Sequence, residues 1–562
     1  MKFCEYEYKR PNIDALCEKY TALCEKMAAA NTLDEAVACV MEHERMTMEF
    51  VSDAELAEIR HTIDTRDKFY DEEKEYIAAN TPRLTERMNA FLMMLLTSKL
   101  KPELEKRFPK VLFTNAEMSV KTVSPAVLGL LADEAKLEID YQKLQASAQI
   151  EYDGKVLTLA QLGAYMENGD SAVRRSAFEA TGNFYMDNAD EFDRIFDELV
   201  KLRTEIAKKL GFETFTALGY LRRTRNCYDA AMVAKFREGV KKYIVPTVAE
   251  IKKRQAEHLG KEKIVYSDDA VLLPQGNPKP VGSFDETYRS GVALYRKMGS
   301  KTREFIDFMD ESGLFDLEAK TGKAAGGYCT FIPNHHAPFV FSNFNGTAGD
   351  VEVFTHEGGH AFAAYVADKT CELLETGTPT YESAEVHSMS MEFLAWPWLD
   401  SFYGDKTETA KVAHLLSALF FLPYGAMVDE FQHIVYENPQ LTPEQRNKEW
   451  AKLEKQYRPY IDFDGLPFYS DGRGWQRQLH IYLDPFYYID YCLAQTVSLD
   501  IFKIMQTGGW DKAWEHYYAF LEKAGTLTFT ELLEGAKLSN PFDPNALADI
   551  AATVADFVSG KY

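Results

Sequence analysis

The chain is predicted to be mainly α-helical, with a small β-sheet in its second half, and three observations lead there. Between residues 12 and 108, apolar side chains recur at three- and four-residue spacing among many charges, which is the period of an amphipathic helix. Residues 192–210, FDRIFDELVKLRTEIAKKL, repeat that pattern without interruption and stop at Gly211. The long departure from it is residues 321–350, rich in glycine and carrying the β-like run 338–343. At 562 residues the chain exceeds one ordinary hydrophobic core, so two or more lobes are expected.

Taken in order, residues 69–98 form the clearest early helix, with an apolar face ending in Phe91–Leu96, and residues 115–147 read the same way. Residues 149–159 alternate on either side of Asp153-Gly154, a hairpin signal. Helix resumes at Leu162; residues 168–180 open with a capping sequence, and 229–256 continue the pattern. Residues 272–286 are rich in Gly and Pro and read as a surface loop. The sheet segment follows and leads into a helix around residue 356. The apolar stretch 415–427 is interrupted by Pro423 and is too short to span a bilayer. No repeat of fixed period is present.

Composition narrows the function. Hydrophobic residues make up 46% and charged residues 27%, as in ordinary globular proteins, and the net charge is −24. So acidic a chain offers no basic field to neutralise phosphates, which argues against nucleic-acid binding. The eight cysteines form no CxxC pair, and the N-terminus has no apolar signal core. A cytoplasmic protein with no membrane span is expected.

The chemistry is concentrated in residues 353–362, VFTHEGGHAF. His356 and His360 lie four apart and so share one helix face, where both imidazoles reach one metal ion. Glu357 stands beside them, placed to take a proton from a metal-bound water, the H-E-x-x-H arrangement of zinc peptidases. The bare pattern also occurs by chance in helices with two incidental histidines. A third ligand is therefore needed, and the helix-like segment 381–394, YESAEVHSMSMEFL, offers Glu382, Glu385 and Glu392. Glu392 lies nearly two turns after Glu385 on the same face, suited to accept a hydrogen bond from a ligand histidine. A second constellation, HIYLDPFYYIDY at 480–491, follows the loop 470–478. His480 and several tyrosines there could donate to an oxyanion, although runs of this kind commonly serve packing.

HEGGH followed after 25 residues by the Glu of ESAEVHSMSMEF resembles the zinc site of the thimet oligopeptidase and oligoendopeptidase F family. NGDSAVRRSAF and RTEIAKKLGF, farther upstream, resemble the oligoendopeptidase F branch. The resemblance implies that His356, His360 and Glu385 bind one Zn²⁺, with Ser388 and Glu392 on the same helix as Glu385. It implies that Glu357 is the general base. It assigns His480, Tyr488 and Tyr491 to the stabilisation of the reaction intermediate, with Tyr487 competing for the place of Tyr488. Gly359 matches the family's HExGH form, whereas Gly358 stands where many members carry a larger apolar residue. The implied fold is two helical lobes around a deep substrate channel, as in neurolysin and thimet oligopeptidase, divided here as residues 1–185 and 186–562. The implied activity is endopeptidase cleavage of short unfolded oligopeptides; oligomeric state is left open. A helical zinc exopeptidase sharing the metal motif, and a silent peptide-binding protein, are the competing readings.

Overall fold

The structure, a computed structural model, describes residues 1–562 except 274, 275, 524 and 562. Two of these fall in the expected loop 272–286, so that part of the expectation lies outside the described residues. Helices at Ile13–Ala29, Leu33–Ile63 and Lys68–Thr97 pack with two shorter ones, Lys101–Arg107 and Lys110–Ser119. They bury a core of their own that includes Tyr20, Leu23, Val40, Leu84, Phe91 and Phe113. The second of these helices starts where the sequence supplies a capping box: the Thr32 hydroxyl accepts from the Glu35 amide while the Glu35 carboxylate accepts from the Thr32 amide at 3.1 Å.

From Val127 onward most of the buried apolar residues belong to one larger core, joined from the N-terminal helices by Tyr6, Leu56 and Ile59, while Leu157, Leu162 and Ala177 form a small cluster of their own. Its frame includes the expected helix at 192–210, which forms as Ala189–Lys209 and ends where Gly211 takes φ +88°. Arg203 on that helix is fully buried, a costly place for a charge unless it is paired. It donates to Glu134 at 2.7 Å, to Glu138 and the Tyr436 hydroxyl at 2.9 Å, and to the Tyr482 carbonyl at 2.5 Å. One side chain thereby fastens four segments.

The sheet is three-stranded. Ala337–Phe344, which contains the expected run 338–343, lies at its centre, with Phe315–Glu318 parallel on one side and Tyr328–Ile332 antiparallel on the other. The edge strand is anchored to the first lobe: the hydroxyls of Tyr328 and Thr62 are 2.6 Å apart, and Thr330 donates to Glu55 at 2.6 Å. The short hairpin Ile150–Tyr152 and Lys155–Leu157 turns at Asp153 and Gly154, both with positive φ, as its sequence predicts. Pro423 does not interrupt the apolar segment after all. The helix Thr407–Glu437 runs through it, and the helical span Asp400–Glu437 that contains it is long enough and apolar enough to cross a membrane by composition, but 67% of that span's apolar window is buried inside the protein. Its packing in the larger core outweighs the amide that proline removes.

Candidate active site

Two helices carry the residues that could hold a metal. His356, Glu357 and His360 project from Ala348–Thr370, and Glu385, Ser388 and Glu392 from Tyr381–Leu394, which packs against it. Close packing against neighbouring helices explains the glycines of the motif. A Cβ on Gly359 would lie 2.7 Å from the His387 carbonyl oxygen and 2.8 Å from the Ser388 Cα, so backbone meets backbone there. A Cβ on Gly358 would overlap the hydroxyl of Tyr295, which donates to the Thr355 carbonyl at 3.1 Å.

The contact places one Glu385 oxygen 3.3 Å from His356 Nε2 and 3.5 Å from His360 Nε2. One ligand atom from each of the three residues lies within 4.8 Å of the others. Each histidine thus turns a ring nitrogen toward a shared point, and a carboxylate completes the donor set, the N,N,O chemistry of a zinc site with an open position. The other nitrogen of His356 is committed. Its Nδ1 donates to Glu392 at 2.7 Å, leaving the Nε2 lone pair for a metal. The second oxygen of Glu392 accepts from His414 Nε2 at 2.7 Å, and His414 Nδ1 accepts from the Trp396 indole at 3.1 Å. Glu385 is held in place by the hydroxyls of Ser388 at 3.0 Å and Tyr487 at 2.6 Å. Burial would raise the Glu385 carboxyl, but the adjacent His360 and His356 hold it well below the usual carboxylate range.

Glu357 has a different environment. Burial pushes its carboxyl above the ordinary range, and the pull of His356 and His360 only partly offsets this. A carboxylate of raised basicity next to three groups that could hold a metal is suited to accept a proton. Glu382, one turn before Glu385, points elsewhere: it accepts from Thr380 at 2.6 Å and from Tyr228 at 3.3 Å.

The aromatic segment faces the same space. The ring of His480 lies 4.9 Å from Tyr488, 5.9 Å from Tyr491 and 5.8 Å from Tyr487. The Tyr424 hydroxyl donates to the Gln478 amide oxygen at 2.8 Å, so the amide nitrogen faces His480 Nδ1 at 2.9 Å. That leaves the proton of His480 on Nε2, and burial lowers its pKa further below the ordinary value, so the neutral donor tautomer is favoured. His480, Tyr488 and Tyr491 line a cavity of about 330 Å³ together with Glu392, His414 and Met389. Tyr487 instead contacts Glu385, and Tyr482 is packing: it stacks on Tyr141 at 3.9 Å. His335 stacks on Tyr6 at 3.7 Å, and His387 is buried with neither ring nitrogen hydrogen-bonded among the described residues. Sequence reasoning passed over His414 and Trp396, because neither has ligand spacing and both act through Glu392.

Buried helices presenting a His-His-Glu donor set with a neighbouring basic carboxylate define a metallopeptidase of the helical class. The chain belongs to peptidase family M3: the model of that family matches residues 164–551, and that of its N-terminal domain matches residues 3–123. Among solved structures, it is similar to PZ peptidase A with an inhibitor, at 42% identity and a TM-score of 0.95 over 100% of this chain and 99% of that one. A putative oligoendopeptidase F gives the same figures, and a putative oligoendopeptidase F from Bacillus anthracis gives 42% identity and 0.90 over 100% and 98%. No curated protein matches the chain. The family and these neighbours make the protein an endopeptidase of the oligopeptidase type, in the oligoendopeptidase F branch.

Proposed function

We propose that the protein is a zinc-dependent oligoendopeptidase that hydrolyses internal bonds of short unfolded peptides. The observation that carries this reading is the convergence of His356, His360 and Glu385 on one point beside Glu357. A bound Zn²⁺ would lower the pKa of a water molecule and polarise the scissile carbonyl. The chain's own residues would do the rest. Glu357 accepts the proton of the attacking water and returns it to the departing amine. Glu392 holds His356 in the tautomer whose Nε2 is free, and Tyr487 and Ser388 fix the Glu385 carboxylate. Tyr491 and the Nε2–H of His480, with Tyr488, donate to the oxygen on which charge develops. The edge strand Tyr328–Ile332 has an unpaired side on which an extended peptide can add as a further strand.

The test uses a quenched fluorescent peptide of about ten residues, blocked at both ends, with mass spectrometry to locate the cut. Internal cleavage that a chelator stops and zinc restores is expected. Cleavage insensitive to chelator would overturn the reading.

A further inference from the structure

A larger cavity, of about 1090 Å³, adjoins the one lined by His480, Tyr488 and Tyr491: Glu352, Glu392, His414 and Phe421 line both. A space of this size takes several residues of an extended peptide. Its wall also includes a group of tyrosines, Tyr185, Tyr266, Tyr424 and Tyr469, and three cations, Lys252, Arg458 and Arg477. Two of these are neutralised. Lys252 pairs with Asp269 at 2.6 Å, and Arg458 makes a two-pronged contact with Glu454 at 2.6 and 2.8 Å.

Arg477 is different. Its side chain is exposed and lines the cavity. Among the described residues it forms no ion pair and its guanidinium makes no hydrogen bond; it sits 5.8 Å from the ring centre of Tyr424, and its electrostatic neighbours are phenols. The hydroxyls of Tyr266 and Tyr469, in the same wall, also have no hydrogen-bond partner among the described residues. A planar cation and two free phenol donors around one space form a receptor for a carboxylate. Continuity with the reaction site is direct, since Arg477 is next to Gln478, which holds His480.

We infer that Arg477 binds a carboxylate of the peptide substrate, its C-terminal carboxylate, in this cavity. The scissile bond would then lie at a fixed number of residues from the free C-terminus, and peptide length would select the bond that is cut. This inference rests on the peptidase reading above, with Arg477 acting as a specificity determinant away from the reacting atoms.

Binding tests it apart from catalysis. Peptides of five to twelve residues, each as free acid and as C-terminal amide, are titrated by calorimetry into zinc-loaded Glu357→Gln protein and into the same protein carrying Arg477→Gln or Arg477→Lys. Around one length the free acid is expected to bind at least tenfold more tightly than the amide. Arg477→Gln should reduce that ratio to about one, and Arg477→Lys should retain part of it. Equal binding of acid and amide at every length, or a preference that survives Arg477→Gln, would overturn the inference. Amides that regain affinity only with an internal Asp or Glu, and lose it in Arg477→Gln, would assign the site to an acidic side chain and overturn the C-terminal assignment. Because the readout is affinity in an inactivated protein, a failure of the peptidase reading shows separately, as absent cleavage of the blocked peptide by the wild-type chain.

Discussion

His356 turns one ring nitrogen to the metal position and gives the other to Glu392, and Glu392 accepts in turn from His414. Each link orients the next, so a change two residues removed from the metal should be felt at it. Replacing His414 with Phe keeps an aromatic against Phe393 but deletes the donor to Glu392, freeing that carboxylate to swing away from His356. Zinc affinity, measured by competition with a chromogenic chelator, is expected to fall about 10- to 100-fold. A His414→Phe protein that binds zinc like the wild type would show that His356 needs no such support. The relay also shows why this residue was hidden in the sequence. A metal ligand announces itself by its spacing on one helix, whereas His414 lies 22 residues beyond its partner on another element, and only the packing of the two helices reveals the pair.

At the scale of elements, the site depends on how closely Ala348–Thr370 and Tyr381–Leu394 approach. Gly359 permits it. Alanine there would favour the isolated helix by about 1 kcal/mol. Its Cβ, however, would meet the carbonyl oxygen and Cα of the neighbouring helix at distances a backbone cannot relieve by rotation. Gly359→Ala is therefore expected to lower the melting temperature and weaken zinc binding together, read by thermal unfolding with and without metal; an unchanged melting temperature would contradict the packing argument. Gly358→Ala should be less damaging when combined with Tyr295→Phe, because removing the phenol oxygen deletes the nearest overlapping atom. The sequence shows two glycines in a helix interior and no reason for them, since the partners are 28 and 63 residues away. The hairpin at Asp153-Gly154 was legible for the opposite reason: both strands and the turn are adjacent in the chain. The course of the helix through Pro423 was not, because burial in the core, rather than local propensity, decides it.

Over the whole molecule, the first lobe is tied to the catalytic region through the segment after the motif helix. His43 contacts Glu375 at 2.8 Å, Arg107 pairs with Glu372 at 2.6 Å, and Glu44 accepts from the Leu374 amide at 2.6 Å. Burial pushes the Glu44 carboxyl from its ordinary 4.5 up to about 7, and its second oxygen has no hydrogen-bond partner among the described residues. Folded protein therefore holds a proton that the unfolded chain has already released. The associated stability is complete below pH 4.5 and is lost as pH rises to about 7. Glu44→Gln keeps the acceptor for Leu374 without the charge, so its melting temperature should gain on that of the wild type between pH 5 and pH 8, by at most about 3 kcal/mol of stability. A difference independent of pH would exclude this role for Glu44. At this scale the helical class and the small sheet were legible from periodicity and glycine content. The larger cavity was not: Arg477 looks in sequence like any loop arginine, and its lack of a carboxylate partner exists only once Tyr266, Tyr424 and Tyr469 are folded around it. The one-residue uncertainty between Tyr487 and Tyr488 also belongs here, because the helix beginning at Tyr488 turns them to opposite tasks, one toward Glu385 and the other toward Phe421 and Tyr424.

The division of labour between metal ligands and base is tested most directly by Glu357→Gln. Glutamine keeps the shape of the side chain and leaves His356, His360 and Glu385 untouched, but it cannot accept the proton. Zinc content and cleavage of the doubly blocked peptide would be measured on the same preparation. The account predicts about one zinc per chain, as in the wild type, with cleavage reduced by a factor on the order of 10³. Near-wild-type cleavage, or loss of the zinc along with the activity, would contradict it.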